Sequence, residues 1–463
     1  EQIKTEGTKM SRKVYRIDMC NGPILSGIIA FSLPLMLSGC LQLLFNAADV
    51  IVVGRFAGNE SLAAVGSTSS LTNLLVNLFI GLSIGTNVTV GHTLGSGDEQ
   101  GTCDNVHTAV TVSLISGVVL IGIGVLFTRP LLIWMGAPSD VLDKAALYLK
   151  IIFIGMPATM AYNFGSAILR ATGDTKRPLY FLSAAGMINV ILNLFFVIVL
   201  HMDVAGVALA TIISQCISAV LILLCLCRME GPCRLNIRKL YIQPGRLRRM
   251  MQIGLPAGIQ SSLFSFSNVL IQSSINSFGS VVVAGNSAGA NIEQFVYISM
   301  NAVHQATVSF TSQNTGAGKP ERINRILYSG LGLVTIIGLI MGIGVNLLGT
   351  PLLSIYSPDS AVIEAGKTRL LWISAPYFLC GIMEVVMGIM RGLGYAITPM
   401  IVALSGACLF RIVWLATAFA WFPVQSVLFL SYPASWILTA AIHVLTYLYA
   451  RRHHALFKQP SPQ

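Results

Sequence analysis

The sequence predicts an all-α integral membrane protein, with about twelve transmembrane helices in two pseudo-symmetric six-helix lobes. Three observations carry this prediction: the chain is too apolar for water, its apolar runs recur at membrane-spanning length, and its two halves repeat each other. Of 463 residues, 54% are hydrophobic and only 10% charged, with a mean hydropathy of +0.75. A soluble domain carries about 25% charged residues, so the solvent for this surface is lipid. The net charge of +11 would attract phosphate, but the basic residues sit between apolar runs rather than on one face. That distribution is a topology signal and excludes nucleic acid as a partner.

A bilayer core of about 30 Å needs roughly 20 apolar residues per helix. Runs of that kind recur at about 24–53, 62–90, 106–128, 145–168, 178–200, 205–227, 250–277, 284–311, 326–348, 368–390, 397–421 and 425–449. Their length and continuity exclude a β-barrel, whose strands would be about ten residues long and alternating.

Sliding the sequence by about 221 residues lays Phe31–Pro34 over Ile253–Pro256, Asn46 over Asn268, and Gly95–Gly97 over Gly316–Gly318. Arg129-Pro-Leu-Leu falls over Thr350-Pro-Leu-Leu, and Arg170-x-x-Gly173-x-x-x-x-Pro178 repeats as Arg391-x-x-Gly394-x-x-x-x-Pro399. An even number of helices per repeat sends both halves into the membrane the same way, with the pseudo-twofold axis along the membrane normal. The divisions are a leader (1–23), an N-lobe of six helices (24–227), a basic connection (228–249), a C-lobe of six helices (250–449) and a tail (450–463). Pairs such as Gly81/Gly85, Gly91/Gly95, Gly254/Gly258 and Gly338/Gly342 permit close helix approach.

Lys and Arg in the connections set the orientation. With both termini inside, the leader, the connection, the tail and the inside turns hold 22 basic residues. Six lie outside: Arg55, Arg129, Lys144, Lys150, Lys367 and Arg369. Both termini are therefore expected in the cytoplasm, with the protein in the cytoplasmic (inner) membrane and the lipids as constant partners. No cleavable signal peptide is apparent, and the first nine residues, opening on Glu1, carry no weight in this reading. The nine cysteines show no paired framework. Cys225, Cys227 and Cys233 cluster without the fourth ligand of a zinc site, so no metal and no cofactor is expected.

Of 18 acidic residues, only Asp49, Glu293 and Glu384 sit well inside apolar runs. A charge at the bilayer centre costs about 2.5–3.5 kcal/mol on insertion scales, which makes each a functional candidate. For Asp49, apolar surroundings favour the protonated form, as a proton carrier needs. Pro34, fifteen residues earlier, removes a backbone hydrogen bond and permits bending. Asn189 and Asn193, spaced i, i+4, share one helix face. Arg411 is the one Arg inside an apolar run and needs neutralising, with Glu384 or Glu293 as the obvious partner. Structural pairing and cation recognition both stand open for these two acids. Gly285-x-Ser287-x-Gly289 imitates a nucleophile elbow but lacks the strand–turn–helix setting that motif requires. His201-Met-Asp203 reads as a short external turn, and no P-loop occurs. Phe153, Tyr162, Phe164, Phe266, Tyr297 and Tyr377 could face flat cations, against a default of core or lipid-facing roles.

Several motifs resemble the MATE family, the multidrug and toxic compound extrusion transporters. They are Asp49-Val-Ile-Val-Val-Gly-Arg, Leu169-Arg-Ala-Thr-Gly-Asp, Asn189-Val-Ile-Leu-Asn193 and Ala205-Gly-Val-Ala-Leu-Ala-Thr211, and the likeness runs from about Pro23 to Tyr449. The resemblance implies a two-lobed, V-shaped fold with a central cavity, alternating access, and export of cationic or amphipathic drugs or metabolites against protons or sodium ions. It further implies that Asp49, Asn189, Asn193 and Thr211 form the N-lobe ion-coupling site and that Pro34 is the helix hinge. Asp203 replaces a small residue in an external turn. Asn193 stands where the family often has Asp, which leaves one N-lobe acid and favours protons. The C-lobe acidic positions of some branches appear here as Phe264 and Cys380, leaving Glu293, Glu384 and Arg411 as a candidate C-lobe polar site.

The nearest rival is a lipid-linked precursor flippase of a related family, which would want a strongly basic cavity; one intramembrane Arg against three acids suits cations better. An intramembrane enzyme would need a His/Asp, Ser/Lys or metal constellation, and none is found. A monomer is expected. The topology is checked by labelling. Cysteines placed near Arg238 or Gln463 should stay unlabelled by an impermeant thiol reagent in intact cells, while one near Asn59 should react. The reverse pattern contradicts the orientation.

Overall fold

The computed structural model describes residues 16–134 and 141–458. The rest of the leader and tail, including the labelling position at Gln463, lies outside the described residues, as do the side chains of Asn59 and Phe266. The chain is 87% helical. Its rods are α1 (Ile24–Ala57), α2 (Asn59–Gly95), α3 (Glu99–Trp134), α4 (Leu142–Ile154 with Met156–Ala171), α5 (Lys176–Val199) and α6 (Asp203–Cys227). The second half supplies α7 (Pro244–Asn276), α8 (Ser280–Gly316), α9 (Pro320–Leu347), α10 (Ser360–Gly392), α11 (Ile397–Phe419) and α12 (Gln425–His453).

Length and apolarity alone qualify nine of these rods as spans among the described residues, or ten with the bent α4 pair. The sequence expected about twelve, and α7 and α8 make the difference. Arg246, Arg248 and Arg249 begin α7, while α8 buries Asn286, Glu293, His304 and Asn314. These polar faces point at protein, not lipid, so bulk hydropathy understates both helices.

Breaks have local causes. α4 bends by 48° where Pro157, which lacks an N–H, follows Gly155. α10 loosens into a π turn at Leu370–Ser374 ahead of Pro376. α1, by contrast, stays helical through Pro34.

Each half buries its own core. Phe153, Met160, Phe164 and Leu169 centre the first; Met300, Phe310, Ile389 and Phe429 centre the second. α1 spans the two. Its first turns, through Ile24, Ile28 and Phe31, belong to the second core, with Phe31 edge-on to Phe310 at 5.8 Å.

The halves meet through small residues toward the end that carries the basic connection, here the basic end. A Cβ on Gly81 would stand 2.2 Å from the Gly258 nitrogen, and one on Gly85 would stand 2.3 Å from the Met250 oxygen. Gly95 sits as close to the Gln313 carbonyl, and Gly316 to that of His92. Hydrogen bonds complete the closure: His92 Nε2 to the Gly392 carbonyl at 2.7 Å, and Gln313 Nε2 to the Ala171 carbonyl at 2.6 Å. The end of the leader lies across this seam. Its Ile17 amide donates to Gly173 of the first half at 3.2 Å, while its Met19 carbonyl accepts from Asn314 and Arg322 of the second.

The basic connection is docked along the first half. Its Asn236 amide donates to His107, the Tyr241 hydroxyl donates to Asp104 at 2.6 Å, and Arg246 pairs with Asp98 at 2.9 Å. The Gly101 amide first, and Arg246 after it, hold the Asp98 carboxyl below its ordinary range.

Candidate functional site

Three polar assemblies occupy the interior. In the first half, α1, α5 and α6 converge on Asp49. Asn193 donates from Nδ2 to Asp49 Oδ1 and to Asn189 Oδ1 at 3.3 Å. Asn189 donates in turn to Thr211 Oγ1 at 3.5 Å, and the Thr211 hydroxyl rests on the Val207 carbonyl. The i, i+4 spacing aims both amides at one side of α5, where both are buried. Both helices widen just past these residues: π turns at Val53–Ala57 and Phe195–Val199 lie against each other. Such turns frequently mark functional sites. Among the described residues, no cation pairs with Asp49, and the buried Asn193 Oδ1 accepts no hydrogen bond.

In the second half, Glu293 pairs with Arg369, whose Nη2 and Nε lie 2.7 and 3.0 Å from Glu293 Oε2. Arg369 Nη1 also donates to Asn286 at 2.6 Å. The expected partnership of Arg411 with Glu384 or Glu293 is therefore corrected. Among the described residues no acid pairs with Arg411; it donates from Nε to Ser435 at 3.0 Å and lies over the Tyr432 ring at 4.1 Å, a hydrogen bond and a cation–π contact. Glu384 instead lies 3.4 Å from His304 Nδ1. Arg369, counted at the sequence level among outside loop charges, is buried within α10.

Between the halves lies a cavity of about 520 Å³. Nine Asn and Gln side chains line it, among them Gln42, Asn46, Gln260 and Asn301, beside Tyr162, Tyr297 and Phe264. The charged lining is Arg170 from α4, with Glu384 and Arg391 from α10. Asp49 is not part of the lining. Of the expected cavity aromatics, Phe153 and Phe164 sit in the first core, Tyr377 packs at a tilt against Trp436, and Tyr162 and Tyr297 do reach the cavity. Ser287 lies on a helix and donates to the Val283 carbonyl, unlike a nucleophile at an elbow.

Sequence reasoning passed over Arg170 and Arg391, which it counted as loop charges. The signal was present: they are the same position of the repeated Arg-x-x-Gly motif. Three intramembrane arginines beyond Arg411 also remove the count of one Arg against three acids on which the preference for cations rested.

A family model described as MatE matches residues 34–195 and again 256–417; residue 34 to residue 256 is an offset of 222, close to the internal repeat. The chain is similar to the "Probable multidrug resistance protein YoeA" of Bacillus subtilis (strain 168), at 28% identity covering 81% of this chain and 82% of that protein. It is also similar to the "Probable multidrug resistance protein YpnP" of the same organism, at 26% identity covering 94% and 97%. Among solved structures it superposes on an "Outward-facing conformation of a multidrug resistance MATE family transporter of the MOP superfamily" with a TM-score of 0.87. The identity there is 22%, and 95% of this chain and 98% of that chain are covered.

The buried Glu293–Arg369 pair gives a direct test. Removing one partner of a buried ion pair costs roughly 3–5 kcal/mol. Glu293→Gln should therefore lower thermal stability sharply in detergent, and Glu384→Gln should leave the Arg411 contacts untouched. An unchanged melting temperature for Glu293→Gln contradicts the pairing.

Proposed function

The chain belongs to the MatE family, and from that premise we propose that it is a secondary-active antiporter exporting amphipathic drugs or metabolites by alternating access in exchange for protons. The observation that carries the coupling site is the hydrogen-bonded run Asp49–Asn193–Asn189–Thr211, which ends on a carboxylate with no cationic partner among the described residues.

In the ionised form, Asp49 accepts from the Asn193 amide. Taking up a proton turns one carboxyl oxygen into a donor and removes the charge from an apolar setting, where a charge is costly. The buried Asn193 Oδ1, which accepts no hydrogen bond among the described residues, offers that new donor an acceptor on α5. α1 can pass that change on, because its first turns are packed in the other half's core and Pro34 leaves one of its backbone bonds unmade. Sodium is the alternative ion, but Asn193 supplies an oxygen without a second negative charge, which supports protons.

In this reading the basic end faces the cytoplasm of the inner membrane, both termini lie on that side, and the protein works as a monomer. The closed seam then corresponds to an outward-facing state.

Asp49→Asn is nearly isosteric and keeps a side chain able to bond Asn193, so the variant should fold. An amide cannot take up and release a proton. Reconstituted with an imposed pH gradient and a panel of ethidium, norfloxacin and riboflavin, it should lose gradient-driven transport. Asp49→Glu should retain a fraction of it, with a displaced pH optimum. Full gradient-driven transport by Asp49→Asn would place coupling elsewhere.

A further inference from the structure

The arginines inside the membrane fall into two groups. Arg369 is answered by Glu293, and Arg411 by Ser435 and the Tyr432 ring. The two that line the central cavity are not answered in this way. Among the described residues, no hydrogen bond or ion pair reaches the Arg170 guanidinium, which lines the cavity from α4. Arg391, only 5% exposed, donates from Nη2 to Gln260 at 3.0 Å and lies 3.4 Å from His304. Its Nε is buried with no partner.

Their placement follows from the repeat. Arg170 and Arg391 hold the same position in Arg-x-x-Gly, 221 residues apart, so each half presents one guanidinium to the shared cavity. The one carboxylate in the lining, Glu384, sits against His304. Two arginines against one glutamate leave the lining with a net charge of at least +1. Glu384 offsets one of the two charges, and the guanidinium left over at Arg170 is completed by an anion. A guanidinium fork matches a phosphate or carboxylate in shape as well as charge.

We infer that the central cavity binds an anionic group, a phosphate, sulfonate or carboxylate, at Arg170, with Arg391 adding positive charge to the same lining. The amide side chains and the faces of Tyr162 and Tyr297 receive the rest of the molecule. The inference rests on the export reading only in taking the occupant for the transported solute. A water-soluble solute or an anionic lipid headgroup carries the same chemistry.

The test uses the full-length protein in phosphatidylcholine nanodiscs, with flavin fluorescence as the readout of binding. Riboflavin and riboflavin 5′-phosphate share one ring system and differ by the phosphate. The phosphate form should bind about tenfold more tightly or better, the scale of one charge-assisted bidentate contact, and inorganic pyrophosphate should compete with it. Arg170→Gln should bring the two flavins close to parity, with the larger loss falling on the phosphate form. If that variant does not fold, the wild-type comparison and the pyrophosphate competition decide alone.

Adding phosphatidylglycerol to the nanodiscs separates the two sources. Competition with the flavin phosphate assigns the anion to a headgroup, and a preference that survives assigns it to a soluble solute; either upholds the inference. Equal affinity for the two flavins, tighter binding of ethidium than of either, or no binding of any probe overturns it. A phosphate preference in a protein that transports nothing would instead sink the export reading and leave this inference standing.

Discussion

The two halves of the molecule meet through bare backbone, and that constraint governs the rest of the structure. Where Gly81 and Gly85 of α2 pass Gly254 and Gly258 of α7, a single added Cβ would overlap a backbone atom. Contacts of this kind are van der Waals in nature and depend on small residues. They hold the halves together without merging two hydrophobic cores into one. Separating the halves therefore exposes small residues and a few hydrogen-bonding groups, while each core stays intact. α1 is shared between the halves: its first turns lie in the second core, while Val52 and Val53 beyond Asp49 pack with Val197 and Val207 of the first half. The end of the leader lies over the same seam and touches both sides of it.

The distribution of polar groups follows from that division. α7 and α8 are too polar to meet a simple criterion for a span because their faces look into the cavity and the seam instead of the lipid. Buried charges within one half are answered there, by an opposite charge at Glu293–Arg369 and by a hydroxyl and a ring face at Arg411. Charges at the boundary between the halves are left to the cavity, as at Arg170 and Arg391. A pair inside one half is maintained whichever way the halves tilt, whereas a group facing the cavity is met by whatever occupies it.

Much of this was legible in the sequence, for identifiable reasons. Helix number and the two-half plan follow from run length and the repeat, which survive without knowledge of packing. The convergence of Asn189 and Asn193 follows from their i, i+4 spacing. The partners of the C-half charges were not legible, because sequence spacing along a helix does not fix which way a residue on another helix points. Arg411 is answered by α12 through Ser435 and Tyr432 instead of an acid, and Glu293 is answered by Arg369, which charge counting had assigned to a loop. Counting Lys and Arg near run ends treats each as solvated; Arg170, Arg369 and Arg391 are near run ends and yet lie inside the protein. Pro34 shows the opposite limit. Its chemistry permits a bend, but its presence alone does not say that the helix is bent in a given state.

The central claim is that transport opens the glycine seam while each half moves as a unit. It is tested most directly by distances between spin labels on Ser96→Cys and Glu321→Cys, exposed positions at the basic end of opposite halves, in a background with the native cysteines replaced. In lipid, the wild-type sequence should give a short distance and a second, longer one, with their proportions shifting between alkaline and acidic pH. A control pair within one half should keep a single distance throughout. One unchanging distance across the seam in a protein that is actively transporting would contradict the claim.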